Sequence, residues 1–170
     1  MIKRIIFDQD NTIMMWHDEY YISLNKTFES LNIDYNENII NKLKEAVDNY
    51  EKEYNIFDKK SMQNIFEKYS KIELPDNFVD TWIHYLKECY PKEIDKALVD
   101  TLEYLSNKYE LVILTNWFTE SQEGRLENLG IKHYLIPDIE KKTPRNVIKI
   151  CCELKRIVEK ENISVCTLLC

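Results

Sequence analysis

The stretch Ile5-Ile6-Phe7-Asp8-Gln9-Asp10-Asn11-Thr12-Ile13 runs from hydrocarbon into two carboxylates flanked by amides and a hydroxyl, then back to hydrocarbon. Its apolar start is a short continuous run, the pattern of a strand buried on both faces. Residues i and i+2 of an extended segment point the same way, so Asp8 and Asp10 share a face at the strand's end. Two acids this close repel unless a proton or a cation intervenes, and a hard divalent ion is the natural third party. A plain acidic turn, with Asp10 or Asn11 bending the chain, uses the same residue types. The strand directly before the pair and Thr12 after it favour a site.

Two further polar clusters sit in similar places. Leu111-Val112-Ile113-Leu114 is a second apolar run, followed at once by Thr115-Asn116. A hydroxyl and an amide at a strand end can donate to an oxyanion, although ordinary turns use them too. Lys141-Lys142 precedes Thr143-Pro144, which reads as a helix start with proline in the first turn. A lysine there can neutralise a phosphate, whereas a solvated lysine pair is the commoner case.

Between the two apolar runs the chain has helical periodicity. Tyr20, Leu24, Phe28 and Leu31 repeat at helix spacing, as do Ile39, Leu43, Ala46 or Val47, Tyr50 and Tyr54. A third helix after Ser61 carries Ile65, Phe66 and Tyr69, and a fourth after Pro75-Asp76 carries Val79, Trp82, Ile83, Leu86 and Tyr90. From Pro91 onward helix and strand alternate. Ile94, Leu98, Leu102 and Leu105 mark a helix leading to Leu111. Thr119-Glu120-Ser121-Gln122 fits a capping box, with Thr119 as N-cap and Gln122 reaching back, and Gly130 closes that helix. His133 to Ile136 reads as a short strand, residues 144–158 as a helix and residues 163–169 as a final apolar strand. The predicted class is therefore α/β, a doubly wound Rossmann-like core of parallel strands with an all-helical insertion. The predicted division is residues 1–14 and 91–170 for the core and 15–90 for the insertion. Ligands of such sheets bind at the carboxyl ends of the strands.

Composition narrows the function classes. The chain has 170 residues, 44% hydrophobic, enough for one buried core with an insertion. A net charge of -7 argues against a nucleic-acid partner. No apolar run is long enough to cross a bilayer, and residues 5–7 are too short and too soon acidic for a signal peptide, so a cytoplasmic protein is expected. Five cysteines, an odd number without C-x-x-C spacing, read as buried thiols in a reducing compartment. The only two glycines, Gly124 and Gly130, exclude a P-loop and a G-x-G-x-x-G turn, so any phosphate chemistry uses another device.

In order along the chain, these clusters resemble the motifs of the haloacid dehalogenase-like (HAD) superfamily. Phe7-Asp8-Gln9-Asp10-Asn11-Thr12-Ile13 is similar to its first motif and Leu111-Val112-Ile113-Leu114-Thr115-Asn116 to its second. The helical stretch between them resembles the subfamily with a cap inserted at that point. The resemblance covers residues 1 to about 130. It implies Asp8 as the nucleophile that forms an aspartyl-phosphate. It implies Asp10 as the acid that protonates the leaving alcohol and then activates water, its carbonyl on Mg²⁺ beside the Asp8 carboxylate. Thr115, with Asn116 adjacent, would hold the phosphoryl group, and Lys141 or Lys142 would offset its charge. The implied substrate is a small phosphorylated metabolite. Specificity would lie in the cap, with Trp16 and His17 as candidates, and the segment Thr115 to Glu120 is somewhat similar to nucleotidase-like members.

The sequence departs from the family's pattern at its end. No acid follows Glu161, whereas the family places one or two after its last core strand to complete the metal site. A second reading follows: a truncated, catalytically weak or inactive HAD-like protein that binds phosphate or a partner, with weak Mg²⁺ affinity. Residues 163–169 would then be an edge strand unguarded by charge, which invites self-association. A third reading, a haloacid dehalogenase, is disfavoured by Asp10, because a departing halide needs no proton.

Overall fold

A computed structural model describes residues 3–15, 17–54, 57–113, 115 and 117–137. Three strands, β1 (Arg4–Phe7), β2 (Glu110–Ile113) and β3 (Ile136–Pro137), form a parallel sheet in the order β1-β2-β3. Ile5 pairs with Leu111, Phe7 with Ile113 and Val112 with Ile136. The Arg4 guanidinium donates to Glu110 at 2.7 Å, beside the first pair of that register. Parallel pairing aligns the carboxyl ends, so the chain leaves β1 at Asp8 and β2 toward Thr115 along one edge of the sheet.

Four helices follow β1 before the chain returns to the sheet: α1 (Glu19–Leu31), α2 (Glu37–Glu53), α3 (Lys59–Ser70) and α4 (Phe78–Lys87). Their apolar stripes converge on one cluster that includes Leu24, Phe28, Leu43, Phe66, Trp82 and Leu86. A second cluster joins Leu111 and Ile113 of the sheet to Leu102 of α5 (Lys96–Ser106) and Leu126 of α6 (Thr119–Asn128). Trp82 and Leu86 thus pack apart from Leu102. The fold is α/β with a helical cap, in the class that the sequence predicts. No helix among the described residues is long and apolar enough to cross a membrane.

Local chemistry sets the helix ends. Helix α3 begins at Lys59, before the start expected after Ser61, because the Asp58 carboxylate accepts the Ser61 N–H at 2.9 Å and the Ser61 hydroxyl at 2.7 Å. The short strand expected from His133 to Ile136 is mostly a 3-10 turn, Lys132–Tyr134, and β3 starts only at Ile136. The cause lies upstream. Gly130 at φ 73 ends α6, with its N–H on the Glu127 carbonyl and the Ile131 N–H on that of Leu126, a Schellman closure. The chain then turns again, Tyr134 N–H to the Ile131 carbonyl and Leu135 N–H to that of Lys132, before it extends.

Gly130→Ala tests this closure. A Cβ there has open space, so the effect isolates the left-handed backbone conformation. The expected cost is about 1 kcal/mol, a fall of roughly 2–4 °C in melting temperature by thermal unfolding. An unchanged midpoint would mean that the turn relaxes to another conformation without penalty.

Candidate active site

The loop after β1 folds back on a single acceptor. The Gln9 carbonyl receives the N–H groups of Ile13 at 2.9 Å, Met14 at 3.0 Å and Thr12 at 3.4 Å, while Asn11 donates to the Met14 carbonyl at 2.7 Å. Asn11 takes the left-handed conformation that the reversal needs, at φ 57, and asparagine tolerates it well. Ile13 and Met14 are buried and join the sheet's core, which anchors the loop. Gln9 is fully buried between the two acids, Asp8 is exposed and Asp10 half-buried.

Helix α6 meets this loop with two side chains one turn apart, so they share a face. Arg125 is completely buried, and its Nη1 donates to Asp10 Oδ1 at 2.6 Å. Its Nε donates to the Cys89 carbonyl just beyond α4 at 2.9 Å. Gln122, also buried, donates through Nε2 to Asp10 Oδ2 at 2.7 Å and to Thr115 Oγ1 at 2.9 Å. Its Oε1 accepts from Arg125 Nη1 at 3.1 Å and from Gln9 Nε2 at 3.2 Å. The Gln122 amide is therefore used fully, two hydrogens donated and two bonds accepted.

This overturns the capping box. Phe118, not Thr119, is the N-cap, with no side-chain cap bond, and Gln122 turns inward to Asp10 instead of back to the helix start. A box needs its glutamine at a solvated helix end, and here that face of α6 packs on the β1 loop. Gln9, Gln122 and Arg125 join the polar cluster around Asp10, and the sequence reading misses them. The available signal was the i, i+3 pair Gln122 and Arg125 beside Leu126 and Leu129, polar groups on an apolar helix face.

The electrostatics change accordingly. The pair Asp8 and Asp10 asks for a cation, and at Asp10 the fold supplies one from within, Arg125. Among the described residues, no cation figures in the charge environment of Asp8. Partial desolvation is the largest influence on Asp8 and raises its carboxyl from its ordinary value; the Gln9 N–H opposes this, and the Asp10 charge adds to it. Among the described residues no three acids, histidines or cysteines gather as a metal cluster.

Of the expected site residues, Asp8, Asp10 and Thr115 come together at the sheet edge, the last two joined through Gln122. Asn116, Lys141, Lys142 and Trp16 lie outside the described residues, as do residues 163–169. His17 is exposed. A cation near Thr115 is Lys132, which shares a small cleft with Gln9, Thr115 and Gln122 and already pairs with Glu123 and Glu127. The chain after Thr115 enters the helical cluster: Phe118 is buried there, and Trp117 lies 4.9 Å from Phe57 and 5.7 Å from Tyr20 between ring centroids. The site loop and the cap are thus packed together.

No family model matches the chain, and no curated protein does. Solved structures do match it in fold. YfnB from Bacillus subtilis, named as a HAD-hydrolase and bound to magnesium, superposes with a TM-score of 0.63 at 18% identity over 80% of this chain. The fold is that of the HAD-like hydrolases. A predicted phosphoglycolate phosphatase from Haemophilus somnus gives 0.53 at 18% identity, covering 95% of this chain and 72% of its own. The L-2-haloacid dehalogenase of Xanthobacter autotrophicus with chloropropionic acid covalently bound gives 0.55 at 11% identity, covering 94% and 66%. The chain spans 63% of the length of YfnB. One HAD fold is thus shared by proteins named for different chemistries, and the choice among them rests on side chains.

Proposed function

We propose that this chain is a HAD-type phosphatase that hydrolyses a small phosphomonoester through an aspartyl-phosphate on Asp8, with Mg²⁺. The observation that carries the reading is Asp10, a carboxylate held two residues beyond the exposed Asp8 and linked through Gln122 to the Thr115 hydroxyl. A phosphate ester leaves as an alkoxide and needs a proton; a halide does not. A held second acid therefore favours ester cleavage over dehalogenation on a fold that is shared with a dehalogenase.

The residues divide the work as follows. An Asp8 oxygen attacks phosphorus, the bond to the leaving oxygen breaks, and Asp10 gives that oxygen its proton. A water oxygen then attacks the phosphorus of the aspartyl-phosphate, its proton passes to Asp10, and Asp8 is released with inorganic phosphate. The Thr115 hydroxyl accepts from Gln122, which leaves its own proton to donate to a phosphoryl oxygen. Lys141 or Lys142 takes the charge-offsetting role by resemblance.

The donor set fits Mg²⁺. The Asp8 carboxylate is exposed, and no hydrogen bond among the described residues uses the Asp10 carbonyl, so two hard oxygens remain while Arg125 and Gln122 occupy the Asp10 carboxylate. Bound there, Mg²⁺ would lower the repulsion between the Asp8 carboxylate and a phosphate dianion.

The test is turnover of p-nitrophenyl phosphate with Mg²⁺, with chelator, and beside 2-chloropropionate. Phosphate release that chelation stops is the expected result, and a screen of phosphorylated metabolites would then identify the substrate. Chloride release without phosphate release would replace the reading by dehalogenation. Phosphate binding without any turnover would replace it by a binding protein.

A further inference from the structure

We propose that Arg125 and Gln122 are positioning residues that orient the proton-transferring carboxylate of Asp10 and couple it to Thr115; the inference rests on the phosphatase reading. Four observations carry it. Arg125 is fully buried, yet its charge is directed at a half-buried Asp10 that is part of the site loop. Gln122 and Arg125 each take a different oxygen of Asp10, so the plane of the carboxylate is set by two bonds, 2.6 and 2.7 Å long. Every polar atom of the Gln122 amide is engaged, so it cannot rotate without breaking bonds to Asp10, Thr115, Gln9 or Arg125. Arg125 also holds the Cys89 carbonyl, where the chain leaves the cap.

The clamp leaves room for chemistry. Each carboxylate oxygen has two lone-pair directions, and the clamp uses one on each. The remaining directions stay open to a leaving alcohol or a water. Fixing the plane brings an open lone pair to a constant angle, and the efficiency of proton transfer depends on such geometry. A guanidinium suits the task because its donors lie in a rigid plane, which a lysine lacks.

A residue that only supports the fold would slow all substrates alike. A residue that orients the proton donor slows a substrate in proportion to its need for a proton. We therefore specify kcat/KM, which reports steps up to phosphoryl transfer to Asp8, for 2,4-dinitrophenyl, p-nitrophenyl and phenyl phosphate, in order of falling leaving-group acidity. Arg125→Met should lose about 100-fold or more on phenyl phosphate, and only severalfold on the dinitrophenyl ester. Gln122→Leu, which keeps the buried ion pair, should show the same graded pattern more mildly if the arginine variant fails to fold. Arg125→Lys should recover part of the charge and little of the phenyl phosphate activity. In an Asp10→Asn background, Arg125→Met should add less than about a twofold further loss, since both changes remove one function.

Equal losses on all three esters in folded variants, or full additivity with Asp10→Asn, would overturn the inference while the phosphatase reading stands. A wild type that shows no Asp8-dependent turnover of any ester would overturn the phosphatase reading and this inference together. The two failures differ in whether the wild type is active.

Discussion

Asp8→Asn is expected to abolish hydrolysis and, at neutral pH, to leave a protein that melts higher than the wild type. The amide keeps the shape of the side chain but is not a nucleophile toward phosphorus, so turnover should fall by roughly four orders of magnitude or more. The gain in stability follows from the direction of the Asp8 shift. Desolvation, the largest influence, raises the folded carboxyl above its unfolded value, and Asp10 adds to this against the Gln9 N–H. A raised acid contributes stability below the unfolded pKa, and the contribution is lost as pH rises through the folded pKa. Ionised Asp8 is therefore unfavourable to the fold at pH 7, and asparagine removes that charge. The difference in melting temperature, measured in chelator, should shrink toward zero below about pH 4, where both side chains are neutral. Retained hydrolysis in this variant would show that Asp8 is not the nucleophile. A lower melting temperature at pH 7 would show that the Asp8 charge supports the fold.

Trp82→Ala should be the most damaging single change to stability. Trp82 is fully buried at the centre of the helical cluster, 5.1 Å from Phe66, 6.1 Å from Trp117 and 6.4 Å from Phe118 between ring centroids. Its Nε1 donates to Ser23 Oγ at 3.0 Å, and that hydroxyl passes its own proton to the Glu19 carbonyl at 2.6 Å. Truncation to alanine leaves a cavity that four packed helices cannot close, at an expected 3–5 kcal/mol, or roughly 10 °C in melting temperature. Trp82→Phe should cost far less, because it keeps most of the ring packing and loses the bond to Ser23, worth about 1 kcal/mol. Because Trp117 and Phe118 follow Thr115 by only a few residues, the alanine variant should also lose activity, whereas the phenylalanine variant should retain much of it. Denaturant unfolding of both proteins would decide this. A loss below about 1 kcal/mol for Trp82→Ala would mean that the cluster collapses around the gap.

The apolar runs before Asp8 and Thr115 determined two strands, and the helical periodicity of Leu24, Phe28, Leu43 and Trp82 determined the cap helices, because burial on both faces and burial on one stripe leave different spacings in the chain. The placement of Asp8, Asp10 and Thr115 at one sheet edge was legible for the same reason: a polar residue directly after a buried parallel strand lies at the edge where such sheets bind ligands. The end of α6 was legible too, since Gly130 is one of two glycines and suits a left-handed closure. The clamp on Asp10 was not. Gln122 three residues after Thr119 satisfies a local capping pattern, which sent it back to the helix start, and an arginine is almost never fully buried, so local rules gave no reason to turn Arg125 inward. Tertiary packing decided otherwise. Which face of α6 points inward depends on where the β1 loop and the end of α4 lie, more than 30 residues away in sequence at Cys89 and more than 110 away at Asp10. Once that face is enclosed, a cation beside the half-buried Asp10 carboxylate offsets the cost of its desolvation, and Arg125 is the one that the helix presents.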